Sequence, residues 1–315
     1  MTEMDRLWEF APKQTADEYL AECRNLARSP EEFSQFRRNR IYGKILEGGN
    51  REVGVGNLRR LKYLGASDWL KSNLERFREN DKVGNPYLYE FDELGYVSPS
   101  LLQYALNAFE ITQLLPTHSP VSIVEIGGGY GGLCRILDCI YQFRSYVLID
   151  EPDALTVAKL FLSHWPETAS RVSYVSCHNT DGIASIGNVD LVIACSSLAE
   201  CSSRTQMFYN DVLLHRANAF YLVYNTLHLG VARTVFRKLN QSWRRNFRVS
   251  VQNPWDRILH VSAHRTTKSL VVIWCETLVG YSSPIRSVIR YLRALSSRFS
   301  DSIRTWRDTQ STELS

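Results

Sequence analysis

The sequence predicts an α/β protein: a doubly wound, mostly parallel sheet with a late antiparallel strand pair, preceded by an N-terminal helical subdomain. Three observations predict it. Short β-rich runs alternate with amphipathic helical segments from Val121 to Asn225, the pattern of a parallel sheet covered on both faces. The first of those runs ends in "EIGGGYGG", with five glycines among residues 127–132. Upstream, residues 1 to about 80 carry only helical periodicity.

In the N-terminal part, Leu58, Leu61 and Leu64, then Trp69, Leu70, Leu74 and Phe77, recur at three- and four-residue spacing. A turn-rich stretch follows, "NDKVGNPYLYEFDELGYVSPS". The segment "LLQYALNAFEITQLL" is then an amphipathic helix, with Ser98 or Ser100 as its N-cap and Pro116 beyond its end. The predicted strands are "VSIVEI", "SYVLID", "RVSYVS", "DLVIAC" and "AFYLVYN". Between them lie the helices "GLCRILDCIYQF", "DALTVAKLFLSHW" and "TQMFYNDVLLHRA". A basic helix, "VARTVFRKLNQSWRRNF", follows. The extended segments "DRILHVSAHR" and "TKSLVVIWCETL" read as the antiparallel pair, and residues 284–306 as an arginine-bearing amphipathic helix. The expected division is 1–95, a helical lid on the acceptor side; 96–280, the sheet domain; and 281–315, the C-terminal helix.

Composition narrows the function classes. With 44% apolar and 22% charged residues, the chain is an ordinary globular protein, and its net charge of +4 does not by itself imply nucleic acid. The 7 cysteines are scattered without CxxC or Cys/His ligand spacing, which speaks against structural zinc and for reduced thiols in a cytoplasmic setting. "MTEMDRLWEF" is too polar and acidic for a signal peptide, and no apolar run approaches the ~20 residues that span a bilayer.

A strand that turns directly into a helix leaves a crevice at its carboxyl end, and glycines there let a ligand lie against the backbone. Gly127, Gly129 and Gly131 fit GxGxG, while Gly127, Gly129 and Gly132 fit GxGxxG, so the glycines alone do not separate a dinucleotide from S-adenosylmethionine. Glu125 separates them. A carboxylate beside a pyrophosphate is repulsive, whereas the ammonium and sulfonium of S-adenosylmethionine are cationic. Asp150 ends the next strand, 19 residues after Gly131, where an acid bonds ribose hydroxyls in either cofactor class. The competing accounts are a salt-bridged Glu125 and an Asp150 that only caps the following helix.

On "EIGGGYGG" and "LIDEP" the chain resembles the class I S-adenosylmethionine-dependent methyltransferases, which are Rossmann-like. More narrowly it resembles the sugar O-methyltransferases of bacterial polysaccharide clusters, on "VGNP" (Val83 to Pro86), "SPSLLQY" (Ser98 to Tyr104) and "SSLAE" (Ser196 to Glu200). The resemblance covers roughly residues 80–230. It implies S-adenosyl-L-methionine as cofactor, with contacts from Glu125, Gly127, Gly129, Tyr130, Gly131, Asp150, Glu151 and Ser196, and a sugar or glycan as acceptor. Two residues depart from the pattern: Cys201 stands where a Met usually follows the acid, and Glu151 where the residue after the ribose acid is often apolar. Both bear on the substrate more than on the cofactor.

Methyl transfer to a hydroxyl needs an in-line acceptor and a group to take its proton. The loop "CSSLAECSS" after the fourth strand should flank the methyl, and Glu200 is the acid there, as base or as a positioner of the acceptor. His228, after the fifth strand, is the second candidate base. His178 is placed on the adenine side or in a surface loop, and His260 and His264 read as structural. No clustered acids near the fourth strand require a metal. Between Arg233 and Lys268 nine basic residues face one acid, Asp256, which reads as a cationic rim for an acidic glycan or nucleotide-sugar, or as a solvated helix face. The C-terminal stripe packs back onto the domain, with a membrane surface or a homodimer contact as the alternatives. The rivals to a sugar O-methyltransferase are a natural-product O-methyltransferase, an NAD-dependent oxidoreductase and a non-catalytic cofactor binder.

Overall fold

The computed structural model describes residues 13–47, 50–115, 117, 119–225, 247–255, 258–265 and 273–275. The N-terminal part is helical: α1 (Lys13–Arg28), α2 (Pro30–Ser34), α3 (Arg40–Tyr42), a π turn at Gly43–Glu47, α4 (Arg51–Tyr63) and α5 (Ser67–Phe77). Short polar side chains start several of these helices by accepting amides that have no partner within the helix. Ser29 takes Glu32 N–H, Asn39 takes Ile41 and Tyr42 N–H, and Asn50 takes Val53 N–H. A small antiparallel hairpin, β1 (Tyr89–Phe91) and β2 (Gly95–Val97), leads into α6 (Pro99–Thr112). Ser98 is the N-cap of α6, its Oγ accepting Leu101 N–H, and Pro99 sits where a missing N–H is harmless.

The sheet then unrolls as β3 (Val121–Ile126), α7 (Gly132–Asp138), β4 (Phe143–Asp150), α8 (Pro152–Leu162), α9 (Pro166–Ala169), β5 (Val172–Ser176) and α10 (Thr180–Ala184). It continues through β6 (Val189–Cys195), α11 (Ser197–Glu200), α12 (Ser203–Val212), β7 (Ala217–Asn225), β8 (Phe247–Trp255), β9 (Ile258–Arg265) and β10 (Ile273–Cys275). The strand order is β10-β8-β9-β7-β6-β3-β4-β5. Strands β3 to β7 are mutually parallel, and β9 runs antiparallel to both β7 and β8. This is the Rossmann-like doubly wound sheet with a late antiparallel pair. Central β3 is buried along its whole length, as the near-continuous apolar run "VSIVEI" demands, whereas edge strand β5 is only partly covered.

Three sequence expectations are corrected. The helix after the glycines ends at Asp138, and Phe143 already belongs to β4, so "CIYQF" is not helical to its end. The last predicted helix of the alternating region likewise stops at Val212. The antiparallel partner of β9 is β8, a strand the sequence reading did not draw, while β10 lies beyond β8 and parallel to it. Basic residues running up to Phe247 made that strand look like the end of a helix. Pro254 also weakened its strand signal, and the ladder shifts register between Gln252 and Trp255. The basic helix of residues 231–246 and the C-terminal helix lie outside the described residues.

Alternation along the strands divides the core. Val124, Ile126, Val192, Ala194, Phe220 and Leu222 pack under α11 and α12. Ile123, Leu191, Ile193 and Tyr221 face the other way, into one cluster with α6, α7, α8 and N-terminal residues such as Cys23, Leu26, Phe36, Tyr42 and Leu61. The N-terminal helices therefore share a core with the sheet. Glu125, two residues after Ile123, points to that same face. Among the described residues no helix is long and apolar enough to cross a membrane.

Candidate active site

The chain order reverses between β3 and β6, which opens a crevice at their carboxyl ends. The loops after these two strands meet there. Gly127 has φ +72°, and a Cβ on it would overlap the Ser197 side chain, so both its conformation and its packing require glycine. Ser197 Oγ donates to Ile126 O, and Gly127 N donates to Ile149 O at 2.7 Å, tying the loop to β4 as well. Gly129 and Gly131 also have positive φ (56° and 86°), and Gly131 is the N-cap of α7.

The two acids both border this loop. Glu125 is buried, and Tyr146 donates its hydroxyl to Glu125 Oε2 at 2.7 Å. A Cβ on Gly128 would stand 3.1 Å from that same oxygen, so the carboxylate borders the loop backbone. Asp150 Oδ2 accepts Gly129 N–H at 2.9 Å and Oδ1 accepts Glu151 N–H at 2.8 Å. Asp150 is not the cap of α8; that position is held by Glu151, whose side chain makes no capping bond. Burial pushes the Glu125 carboxyl up to about 7, with the Tyr146 hydrogen bond opposing and Asp150 adding to it. Burial also raises Asp150 to about 6, against the two amide bonds and with help from Glu151. Among the described residues neither carboxylate has an ion-pair partner. The loop is thus flanked by two carboxylates that have no counter-charge among the described residues.

The remaining residues expected at the site are placed as follows. The Tyr130 ring is enclosed by Phe36, Tyr104 and Phe161, and its hydroxyl donates to Glu47 at 2.8 Å, so this side chain anchors the loop to the N-terminal helices. Glu151 faces Cys177 and His178 at the end of β5. Ser196 takes a left-handed conformation (φ 68°), and its N–H donates to Val223 O at 2.8 Å. A non-glycine residue held there stores local strain, and such strain clusters at functional turns. Glu200 ends α11, half-buried, next to Cys201. His228 and every member of the cationic rim except Arg248 and Arg265 fall at residues 226–246, 257 and 266–272. Those residues, His228 included, lie outside the described ones.

The sequence reading missed a buried hub that ties the N-terminal helices to the loop. Arg37 is wholly buried and donates to Glu47 (2.7 and 3.1 Å), Asn80 O (2.8 Å), Asp81 (3.2 Å), Ser98 Oγ (3.0 Å) and Ser100 Oγ (2.7 Å). Its guanidinium lies 5.4 Å from the Tyr130 ring centre. Gly84 O accepts Arg37 N–H, so "VGNP", "SPSLLQY" and the glycine loop all converge on one residue. Leu46, in the adjoining π turn, sits directly over Gly129, where a Cβ would approach it to 3.1 Å. A fully buried arginine with two acids and two serines is the one signal that could have been sought, but nothing in sequence spacing couples residues 37, 47 and 81.

The chain matches no family model and no curated protein. Among solved structures it is similar to the pyocyanin biosynthetic protein PhzM, at 17% identity over 53% of this chain and 57% of that one, with a TM-score of 0.40. It is also similar to the mitomycin 7-O-methyltransferase MmcR (16%, 54% and 56%, 0.39). A third is TrmK of M. capricolum in complex with S-adenosyl-homocysteine (13%, 54% and 70%, 0.39). The chain spans a little over half the length of PhzM and MmcR.

Proposed function

We propose that this protein is an S-adenosylmethionine-dependent methyltransferase that acts on a sugar hydroxyl. One observation carries the cofactor: two buried carboxylates flank a glycine loop at the reversal point of the sheet, with no described cation to balance them. A donor bearing an ammonium and a sulfonium supplies the missing charge, whereas a pyrophosphate would add to the deficit. Glu125 serves the methionine end. Asp150 serves the ribose, already oriented by two backbone amides. The glycine loop shapes the floor, with Ser196 and Glu151 at its margins.

The bound donor supplies an electrophilic methyl group, and the chain supplies alignment and a proton acceptor. Glu200 stands at the carboxyl end of β6, where the acceptor hydroxyl would approach, and takes its proton or orients it; His228 is the second candidate base. The Arg37–Glu47 hub and Leu46 hold the N-terminal helices over the loop and keep water from the reacting centre. The sugar assignment rests on the resemblance of three stretches. Two of them meet at Arg37, and the third packs on Gly127.

Calorimetric titration with S-adenosylhomocysteine and with NAD⁺ tests the cofactor. Binding of the first is expected, and tight NAD⁺ binding with no response to the nucleoside sulfide would overturn the reading. Mass spectrometry of surface glycans, with and without the protein, tests the acceptor: loss of a methyl ether from a sugar supports it. Methylation confined to small non-sugar hydroxyls removes it.

A further inference from the structure

At the carboxyl ends of β4 and β5, beyond the two carboxylates discussed above, three unlike donors meet. Glu151 is buried. Its Oε1 accepts from Cys177 Sγ at 3.2 Å and its Oε2 lies 2.9 Å from His178 Nε2. The carboxylate oxygen, the sulfur and the imidazole nitrogen all lie within 4.8 Å of one another, the only such three-donor group among the described residues. We propose that Glu151, Cys177 and His178 form a site for a soft divalent cation, Zn²⁺ by its ligand chemistry, whose occupation excludes the nucleoside from the Asp150 pocket.

The donor set selects the ion. Mg²⁺ and Ca²⁺ prefer all-oxygen cages, whereas imidazole with thiolate suits zinc. Zinc bonds of about 2.0–2.3 Å hold tetrahedral ligand atoms roughly 3.3–3.8 Å apart. Separations of 2.9 and 3.2 Å reach that range with small side-chain adjustments. The backbone beneath is fixed: Cys177 N donates to Asp150 O at 2.9 Å, and His178 N donates to Ser176 Oγ at 3.2 Å. His178 is about half exposed and supplies an access path, while three protein ligands leave one position for water. In the metal-free protein, burial and the neighbouring Glu151 carboxylate hold the Cys177 proton in place. A dication displaces that proton on binding.

Exclusion follows from adjacency and rests on the methyl-donor reading. Glu151 is the residue after Asp150, and β5 is the strand beside β4, so a base carried by a ribose on Asp150 would extend over this triad. With one carboxylate and one thiolate as ligands, bound zinc leaves the site neutral and so removes the Glu151 negative charge that a cationic donor would otherwise meet. Sequence spacing concealed the group, because Glu151 lies on a different strand end from the Cys177–His178 pair.

The test uses the full chain with Co²⁺ as the optical probe and Zn²⁺ in competition with a chromogenic chelator. Wild type is expected to show a thiolate-to-cobalt charge-transfer band and to bind one Zn²⁺. Cys177→Ser should lose the band, and both Cys177→Ser and His178→Ala should weaken Zn²⁺ at least tenfold, with far-ultraviolet dichroism confirming folding. If Cys177→Ser does not fold, His178→Ala, altered at an exposed side chain, carries the same Zn²⁺ readout. Absence of the band in wild type, or unchanged Zn²⁺ affinity in His178→Ala, overturns the site. Zinc-loaded wild type should bind S-adenosylhomocysteine at least tenfold more weakly than metal-free protein, and equal affinity overturns the exclusion. No nucleoside binding in either state, with the band intact, leaves the cation site standing and counts against the methyl-donor reading.

Discussion

Glu125 and Asp150 ionise late in the folded protein, at about 7 and about 6 against ordinary values of 4.5 and 3.8. For an acid whose value is raised by folding, the stabilising contribution is complete below the unfolded value and is lost as pH climbs through the folded one. Ligand-free protein is therefore expected to lose stability between about pH 4 and pH 7, by on the order of 1–3 kcal/mol per group. Thermal unfolding across that window checks it, and Glu125→Gln and Asp150→Asn should each flatten the profile. A cationic ligand reverses the preference, so affinity for S-adenosylmethionine should rise from pH 6 to pH 8, with proton release visible as a buffer-dependent binding enthalpy. Asp150→Ala should weaken cofactor binding by about 1–3 kcal/mol, the scale of lost charge-assisted hydrogen bonds. Unchanged affinity in that variant would mean the ribose is held elsewhere. Glu200→Gln should lower turnover while sparing cofactor affinity; a fully active variant would remove Glu200 from the chemistry.

Among the elements, the loop after β3 is the most constrained. Gly127→Ala forces a left-handed backbone on a residue with a Cβ and drives that Cβ into Ser197, so both stability and cofactor binding should fall, as read by urea unfolding and by titration. Strand β3, the loop and the start of α7 were legible in the sequence, because a buried central strand, a glycine cluster and an amphipathic helix each leave a local mark, whereas the end of α7 at Asp138 was not. The cap of α6 was legible as one of two serines, of which the structure uses Ser98. Strand β8 was not legible: its pairing with β9 outweighs a proline and a basic prelude that argued otherwise, since ladder hydrogen bonds come from a partner distant in the chain. The Arg37 hub was illegible for a related reason. Arg37→Met leaves Glu47 and Asp81 deeply set without their cation, and a loss of about 3–5 kcal/mol in denaturant unfolding is expected.

At the scale of the molecule, the N-terminal helices and the sheet share one core, and they meet the glycine loop through Leu46 over Gly129, Phe36, Arg37 and Glu47 on Tyr130, and Asn80 on Gly132 O. Bound nucleoside should therefore protect amides of residues 40–47 from hydrogen exchange, together with the glycine loop. Protection confined to residues 125–151 would show that the cover takes no part. By itself the sequence determined the alternation of strands and helices, the glycine bend and the two acids beside it, because these depend on periodicity and on residues close in the chain. Only the tertiary structure decided that the acids lack a described counter-charge, that Arg37 ties three separate stretches to the bend, and that Glu151 meets Cys177 and His178. Those facts depend on which distant side chains burial brings together, and burial is a property of the packed chain.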